Sequence, residues 1–185
     1  MNKDLTTGKP AGVLLRFTLP MLLSVAFQQL YNIADSVIAG KFAGEDALAA
    51  VGASYPVTMI FMAVAFGMNI GISVVISQLF GAKDFKEMKT AAYTGFISVA
   101  VLGVVLTVVG PVLCEPILCM LGTPENIMED TTLYLAIYIW GLLFLFIYNI
   151  SSGVFTSLGD SKTPLWFLIA SSVGNIVLDA VFVII

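Results

Sequence analysis

Long apolar runs alternate with short polar breaks along almost the whole chain. A helix that crosses a membrane needs about 20 mainly apolar residues, because the hydrocarbon core is about 30 Å thick. Five runs meet this requirement, and the breaks between them are short enough for helical hairpins. The pattern predicts an all-α integral membrane protein in which a segment at residues 1–13 precedes five transmembrane helices, at about residues 14–39, 48–79, 91–113, 133–155 and 164–185.

Composition agrees with a lipid environment. Hydrophobic residues make up 59% of the 185 residues, charged residues only 11%, and the mean hydropathy is +1.01. Soluble domains carry about 25% charged residues, and a chain of this size cannot hide so much apolar surface from water. The lipid bilayer is therefore the expected partner. No stripe of Lys and Arg exists, which argues against nucleic acid.

Histidine is absent, and the two cysteines, Cys114 and Cys119, fit neither a zinc pattern nor a redox pair. The sequence therefore predicts no bound cofactor.

Lys and Arg concentrate in the loops on one side of the predicted membrane. Cytoplasmic loops of membrane proteins carry an excess of these residues. The other side has only Lys41, so the N-terminus is expected in the cytoplasm. The residues on the basic side are Lys3, Lys9, Arg16, Lys83, Lys86, Lys89 and Lys162.

Two acids interrupt the apolar spans, Asp35 in the first and Asp179 in the fifth. An ionisable group inside a span costs about 2.5–3.5 kcal/mol on insertion scales, so it usually faces a cavity or a partner. Asp35 lies about 28 Å along a helix from Arg16, and Asp179 about 22 Å from Pro164. Both fall in the outer half of the membrane at similar height, where they could line one pocket.

Asn175 lies four residues before Asp179, on the same helix face. An amide oxygen and two carboxylates can bind Na⁺, and the same carboxylates can instead take up a proton, because burial and mutual repulsion raise a carboxyl pKa. The structural alternative is that each Asp caps a helix end near the interface.

A polar cluster on the first span supplies candidates for a substrate pocket: Gln28, Gln29, Tyr31 and Asn32. Asn32 and Gln28 lie about one and two turns before Asp35, so these positions share a face. Such a face lines a watered cavity or forms hydrogen bonds to another helix, and the sequence leaves both open.

Three motifs in order resemble the multidrug and toxic compound extrusion (MATE) family. They are residues 29–36 (Gln-Leu-Tyr-Asn-Ile-Ala-Asp-Ser) with 48–52 (Leu-Ala-Ala-Val-Gly), residues 159–164 (Gly-Asp-Ser-Lys-Thr-Pro), and residues 175–179 (Asn-Ile-Val-Leu-Asp). The resemblance covers nearly the whole chain. It implies an antiporter of a cytoplasmic membrane, expected to be bacterial, and not an enzyme. In this family H⁺ or Na⁺ enters as a small organic, often cationic, drug leaves.

The resemblance also implies a twelve-helix protein of two lobes. In that family the residues matching Asp35, Asn175 and Asp179 contribute to the cation or proton site. This chain departs from the pattern because it ends after five helices, without the sixth helix or the second lobe. It is expected to be an incomplete N-lobe that cannot transport alone, whether a natural truncation, a fragment or a shortened piece.

Other functional classes fit less well. A flippase for lipid-linked oligosaccharides, from the same superfamily, tends to line its cavity with basic residues, and no span interior here holds Lys or Arg. An intramembrane aspartyl protease also uses two acids, but the only Gly-Asp pair, Gly159–Asp160, lies in a loop. A non-transporting membrane fragment stays open.

Overall fold

The computed structural model describes residues 10–38, 40–41 and 44–184, although the side chains of residues 10, 35, 36, 38, 179, 180 and 182–184 are not described. Within these ranges the chain forms long helices and no strand, which confirms the all-α prediction. The helices are α1 (Pro10–Ile38), α2 (Glu45–Gly81), α3 (Phe85–Met120), α4 (Glu125–Ser157) and α5 (Lys162–Ile184).

Fewer helices meet the requirements for crossing a membrane than the five that the sequence predicted. Three helices, α1 over Ala11–Ala34, α2 and α3, are long and apolar enough to span a bilayer. The two halves of α4 form a fourth if counted together, and α5 offers a shorter apolar stretch, Lys162–Leu178. The described residues thus support three or four spans, and the count of five stays a prediction.

Helix α4 bends by 48° between Trp140 and Leu142. Two known causes of helix kinks coincide there. Gly141 lies at the break, and the Thr107 hydroxyl of α3 donates a hydrogen bond to the carbonyl of Ile139, 3.3 Å away. The bend therefore has a local cause on each of the two helices.

The predicted spans leave residues 114–132 between the third and fourth helices, but most of this polar break is helical. Helix α3 continues to Met120 and α4 begins at Glu125, so only four residues connect them. Polar residues remain helical where a helix leaves the hydrocarbon for water, and Glu125 in the first turn of α4 complements the helix dipole.

The packed core belongs to α2, α3 and α4, which contact one another. Glycines on α3 let α4 approach closely: a Cβ at Gly103 or Gly110 would lie 3.0 Å from side-chain atoms of Leu143 or Ile139. The largest fully buried side chains, including Phe146, Leu135 and Leu118, fill this three-helix unit.

Helices α1 and α5 form a separate pair. They pack against each other, and α5 makes a small contact with α4. Large apolar side chains point outward over much of the surface; Phe144, for example, is 74% exposed. An apolar exterior of this extent suits a lipid environment.

Candidate functional site

The predicted cation site falls on the α1–α5 pair. Contact between these helices brings together the elements that carry Asp35, Asn175 and Asp179. Asn175 is half-buried and takes part in an interaction with a neighbouring group. The side chains of Asp35 and Asp179 lie outside the described residues, so their meeting in one site stays a prediction.

The polar cluster on α1 has a partner within its own helix. The Asn32 amide donates a hydrogen bond of 3.3 Å to Oε1 of Gln29, one turn earlier. Gln28, Gln29 and Asn32 are exposed, whereas Tyr31 is half-buried. The amides are thus accessible, but a role in a substrate pocket stays a prediction.

Metal binding depends on the same undescribed side chains. Among the described residues, no three His, Cys, Asp or Glu side chains come together in a way that could hold a metal ion. The Na⁺ site predicted at Asp35, Asn175 and Asp179 therefore stays a prediction. Cys114 is buried, Cys119 is exposed, and both are free thiols.

The motif at residues 159–164 joins α4 to α5. Gly159 has a φ of 80°, a left-handed conformation that glycine adopts without strain. Its N–H donates to the carbonyl of Thr156 and the N–H of Asp160 donates to that of Phe155. This pair of bonds is the Schellman arrangement that ends a helix. The glycine of the motif thus stops α4.

The aspartate of the motif starts α5. The Asp160 carboxylate accepts hydrogen bonds from the N–H groups of Lys162 and Thr163, both at 3.1 Å, and from the Thr163 hydroxyl at 2.7 Å. Partial burial acts to raise the pKa of Asp160, but these hydrogen bonds outweigh it and hold the pKa below its ordinary value. This Asp therefore positions the helix that carries Asn175.

A polar seam between α2 and α4 was not found from the sequence. The Ser73 hydroxyl donates to Oδ1 of Asn69, and the Ser157 hydroxyl of α4 donates to the Ser73 carbonyl across the seam. A Cβ at Gly153 would collide with the Asn69 amide. The signal available in the sequence was Asn69 with Ser73 one turn on, within an apolar run.

A groove between α2 and α3 was also missed. It has a volume of about 570 Å³ and lies between residues 68–79 of α2 and 87–98 of α3. The α2 wall is apolar, whereas the α3 wall carries Glu87, Thr90, Thr94 and Ser98. No sequence pattern predicts this groove, because its width depends on how far α2 and α3 diverge.

Comparison with known proteins gives a consistent result. The family model MatE matches residues 20–181. The chain is 34% identical over 168 residues to a probable multidrug resistance protein, YoeA, of Bacillus subtilis (strain 168), covering 91% of this chain and 36% of that protein. It is 25% identical to a protein of Shewanella oneidensis named FAD transporter, covering 94% of this chain and 38% of that protein.

The fold comparison agrees. A solved structure of a MOP superfamily transporter from Pyrococcus furiosus superposes with a TM-score of 0.90 and 29% identity, covering 96% of this chain and 39% of that one. The chain therefore spans about two fifths of the length of the relatives that it matches.

Proposed function

Because the chain belongs to the MatE family, as its N-terminal portion, we propose that it is part of a secondary active exporter that moves small organic compounds, often cationic, out of the cell. The driving reaction is the entry of H⁺ or Na⁺. Since the chain covers less than half of its relatives, transport belongs to a longer protein in which a second lobe completes the pathway. In this proposal five spans of the chain form most of one lobe of a twelve-helix transporter.

The observation that carries the proposal is the α1–α5 contact. Helices that are first and last in this chain pack together, and they carry the three polar residues of the proposed cation site, Asp35, Asn175 and Asp179. If each connection reverses the chain direction, α1 and α5 run parallel, which sets both acids toward the same membrane face.

The proposed mechanism is charge neutralisation at that site. Binding of H⁺ or Na⁺ removes net negative charge from a position in which an unpaired carboxylate is costly. The relief changes the packing of α1 against α5 and with it the proposed substrate pocket beside Gln28, Gln29, Tyr31 and Asn32. A change in packing of this kind couples ion entry to release of the organic compound.

The proposed orientation places the N-terminus, the α2–α3 turn and the α4–α5 turn in the cytoplasm. Lys83, Lys86, Lys89 and Lys162 lie in or beside these turns and are exposed. The excess of positive charge on one side supports this orientation in the cytoplasmic membrane.

The decisive experiment replaces Asp179 with Asn in the transporter that contains this chain. We expect efflux driven by an H⁺ or Na⁺ gradient to fall at least about fivefold, the lower end of a typical coupling between two ligands. Asp130→Asn is the matched control, because Asp130 is an exposed acid at the start of α4. Undiminished, gradient-dependent efflux by Asp179→Asn would contradict the coupling role.

The compounds tested should include FAD beside organic cations, because one relative is named FAD transporter.

A flippase for lipid-linked oligosaccharides is not favoured. The anionic substrate of such a flippase would require basic residues in the cavity. The described parts of α1 and α5 contain only two, Arg16 near the start of α1 and Lys162 at the first position of α5.

A further inference from the structure

The groove between α2 and α3 has the dimensions of one bilayer leaflet. From Glu87 to Ser98 it follows about 11 residues of α3, or roughly 16 Å at 1.5 Å per residue. Half of the hydrocarbon core measures about 15 Å. The groove starts beside the α2–α3 turn, so it runs from one membrane surface to about the midplane.

The chemistry of the groove changes along its length. Its α2 wall is apolar, with Met68, Ile72, Val75 and Leu79 facing the α3 wall. Glu87 lies at the end beside the turn, about 6 Å before Ala91, where the apolar run of α3 begins. This distance places the carboxylate at the depth of the lipid headgroups, which extend several ångströms beyond the hydrocarbon.

Charges of both signs meet at this end. Glu87 lines the groove and is exposed. Lys86 is next to it, about 100° around α3, and Lys83 lies in the turn between α2 and α3. Both lysines are exposed.

We propose that this groove binds a phospholipid whose headgroup carries a primary ammonium. The ammonium donates hydrogen bonds to the Glu87 carboxylate inside the groove, and the phosphate pairs with Lys83 and Lys86 outside it. One acyl chain lies along the apolar α2 wall for the depth of the leaflet. The site is independent of the proposed transport function.

Charge complementarity selects this occupant over two others. A purely cationic amphiphile would meet Glu87 but would be repelled by Lys83 and Lys86, which lie in the turn and the first turn of α3. A purely anionic lipid would meet the lysines but would bring its phosphate beside the Glu87 carboxylate. A quaternary ammonium cannot donate the hydrogen bonds that a carboxylate accepts, so a phosphatidylcholine headgroup fits less well.

The test measures which lipids stay bound to the protein. The transporter that contains this chain is purified in detergent and given equal amounts of phosphatidylethanolamine, phosphatidylcholine and phosphatidylglycerol. Bound lipid is counted by native mass spectrometry. We expect phosphatidylethanolamine to be preferred about tenfold, the worth of one charge-assisted hydrogen bond. Glu87→Gln should remove most of that preference. Glu115→Gln, an exposed acid at the other end of α3, should keep it.

A second pair of variants tests the groove itself. A Cβ at Gly71 meets no atom within 4 Å, and Gly71 lines the groove. Gly71→Leu therefore adds side-chain volume at the groove and should reduce retention of every lipid. Gly67→Leu, one turn away and outside the lining, is the control. Equal retention of the three lipids by the unmodified protein, or an unchanged preference in Glu87→Gln, would overturn the proposal.

Discussion

Two aspartates do the same work at two turns of this protein. Asp84 accepts a hydrogen bond from the N–H of Glu87 and starts α3, and Asp160 starts α5 in the same way. Each follows a residue with positive φ that ends the preceding helix, Lys83 at 60° and Gly159 at 80°. The turns differ in that only one of them uses glycine at the left-handed position.

Replacing Lys83 with Gly should therefore stabilise the protein. A side chain in the left-handed conformation costs about 1–2 kcal/mol, and the extra freedom of Gly in the unfolded chain offsets part of that gain. We expect a net gain of up to about 1 kcal/mol. Thermal unfolding in detergent measures it. The control, Lys89→Gly beyond the first turn of α3, should lose about 1 kcal/mol, and a loss at position 83 as well would contradict the reasoning.

The Asp160 cap predicts a pH dependence. Its folded-state pKa is depressed, so its contribution to stability is complete above the unfolded value of about 3.9 and is lost as pH falls through the lower folded value. The difference in Tm between the unmodified protein and Asp160→Asn should be constant from about pH 8 to 5 and shrink below about pH 4. A difference that grows on acidification would contradict the assignment of the cap.

At the scale of the helices, the sequence predicted which regions are helical better than where helices end. Glu115, Glu125 and Glu129 marked a polar stretch, but Glu is a good helix former, and α3 and α4 extend through it. The bend of α4 could not be predicted from Gly141 alone, because many glycines lie in straight helices. The hydrogen bond from Thr107 of α3 to the carbonyl of Ile139 is known only from the packing of the two helices. Polarity reports where lipid ends, which is a different boundary from the end of a helix.

The α2–α4 seam gives a prediction at the same scale. Gly153→Ala should destabilise the protein by about 1–3 kcal/mol, because its Cβ would displace the Asn69 amide from a packed interface. Equilibrium unfolding in detergent measures the loss. Gly174→Ala is the control, because its Cβ meets nothing within 4 Å. Asn69→Ala should recover part of the loss in the double variant, and strictly additive losses would show that the two residues do not touch.

At the scale of the whole molecule, the sequence predicted a membrane protein of this family, and comparison confirms both. It also predicted that Asp35 and Asp179 lie at similar depth, but a prediction of depth does not identify which helices are neighbours. The α1–α5 contact and the groove beside Glu87 depend on the fit between whole helix faces, which no single motif encodes. That Asp35 and Asp179 meet in one cation site stays a prediction.

The proposed orientation can be tested with the natural cysteines. Cys119 is exposed near the end of α3 and Cys114 is buried one turn earlier. A membrane-impermeant maleimide added to intact cells should label the Cys114→Ser variant, which keeps Cys119, and should leave Cys119→Ser unlabelled. In a variant without either cysteine, Lys83→Cys should react only after the membrane is permeabilised. Labelling of Lys83→Cys in intact cells would reverse the orientation.

The pairing of the first helix with the last also sets an order of assembly. At about 5–20 residues per second, the ribosome needs roughly 6–25 s after finishing α1 to reach α5. During that interval α2, α3 and α4 are made and can close their shared core through contacts between neighbours. Helix α1 must wait in the membrane for its partner, with its polar side chains facing lipid or the insertion machinery. Synthesis therefore leaves α1 without its partner helix longest, and the contacts of α5 with α1 and α4 are the last in this chain that can form.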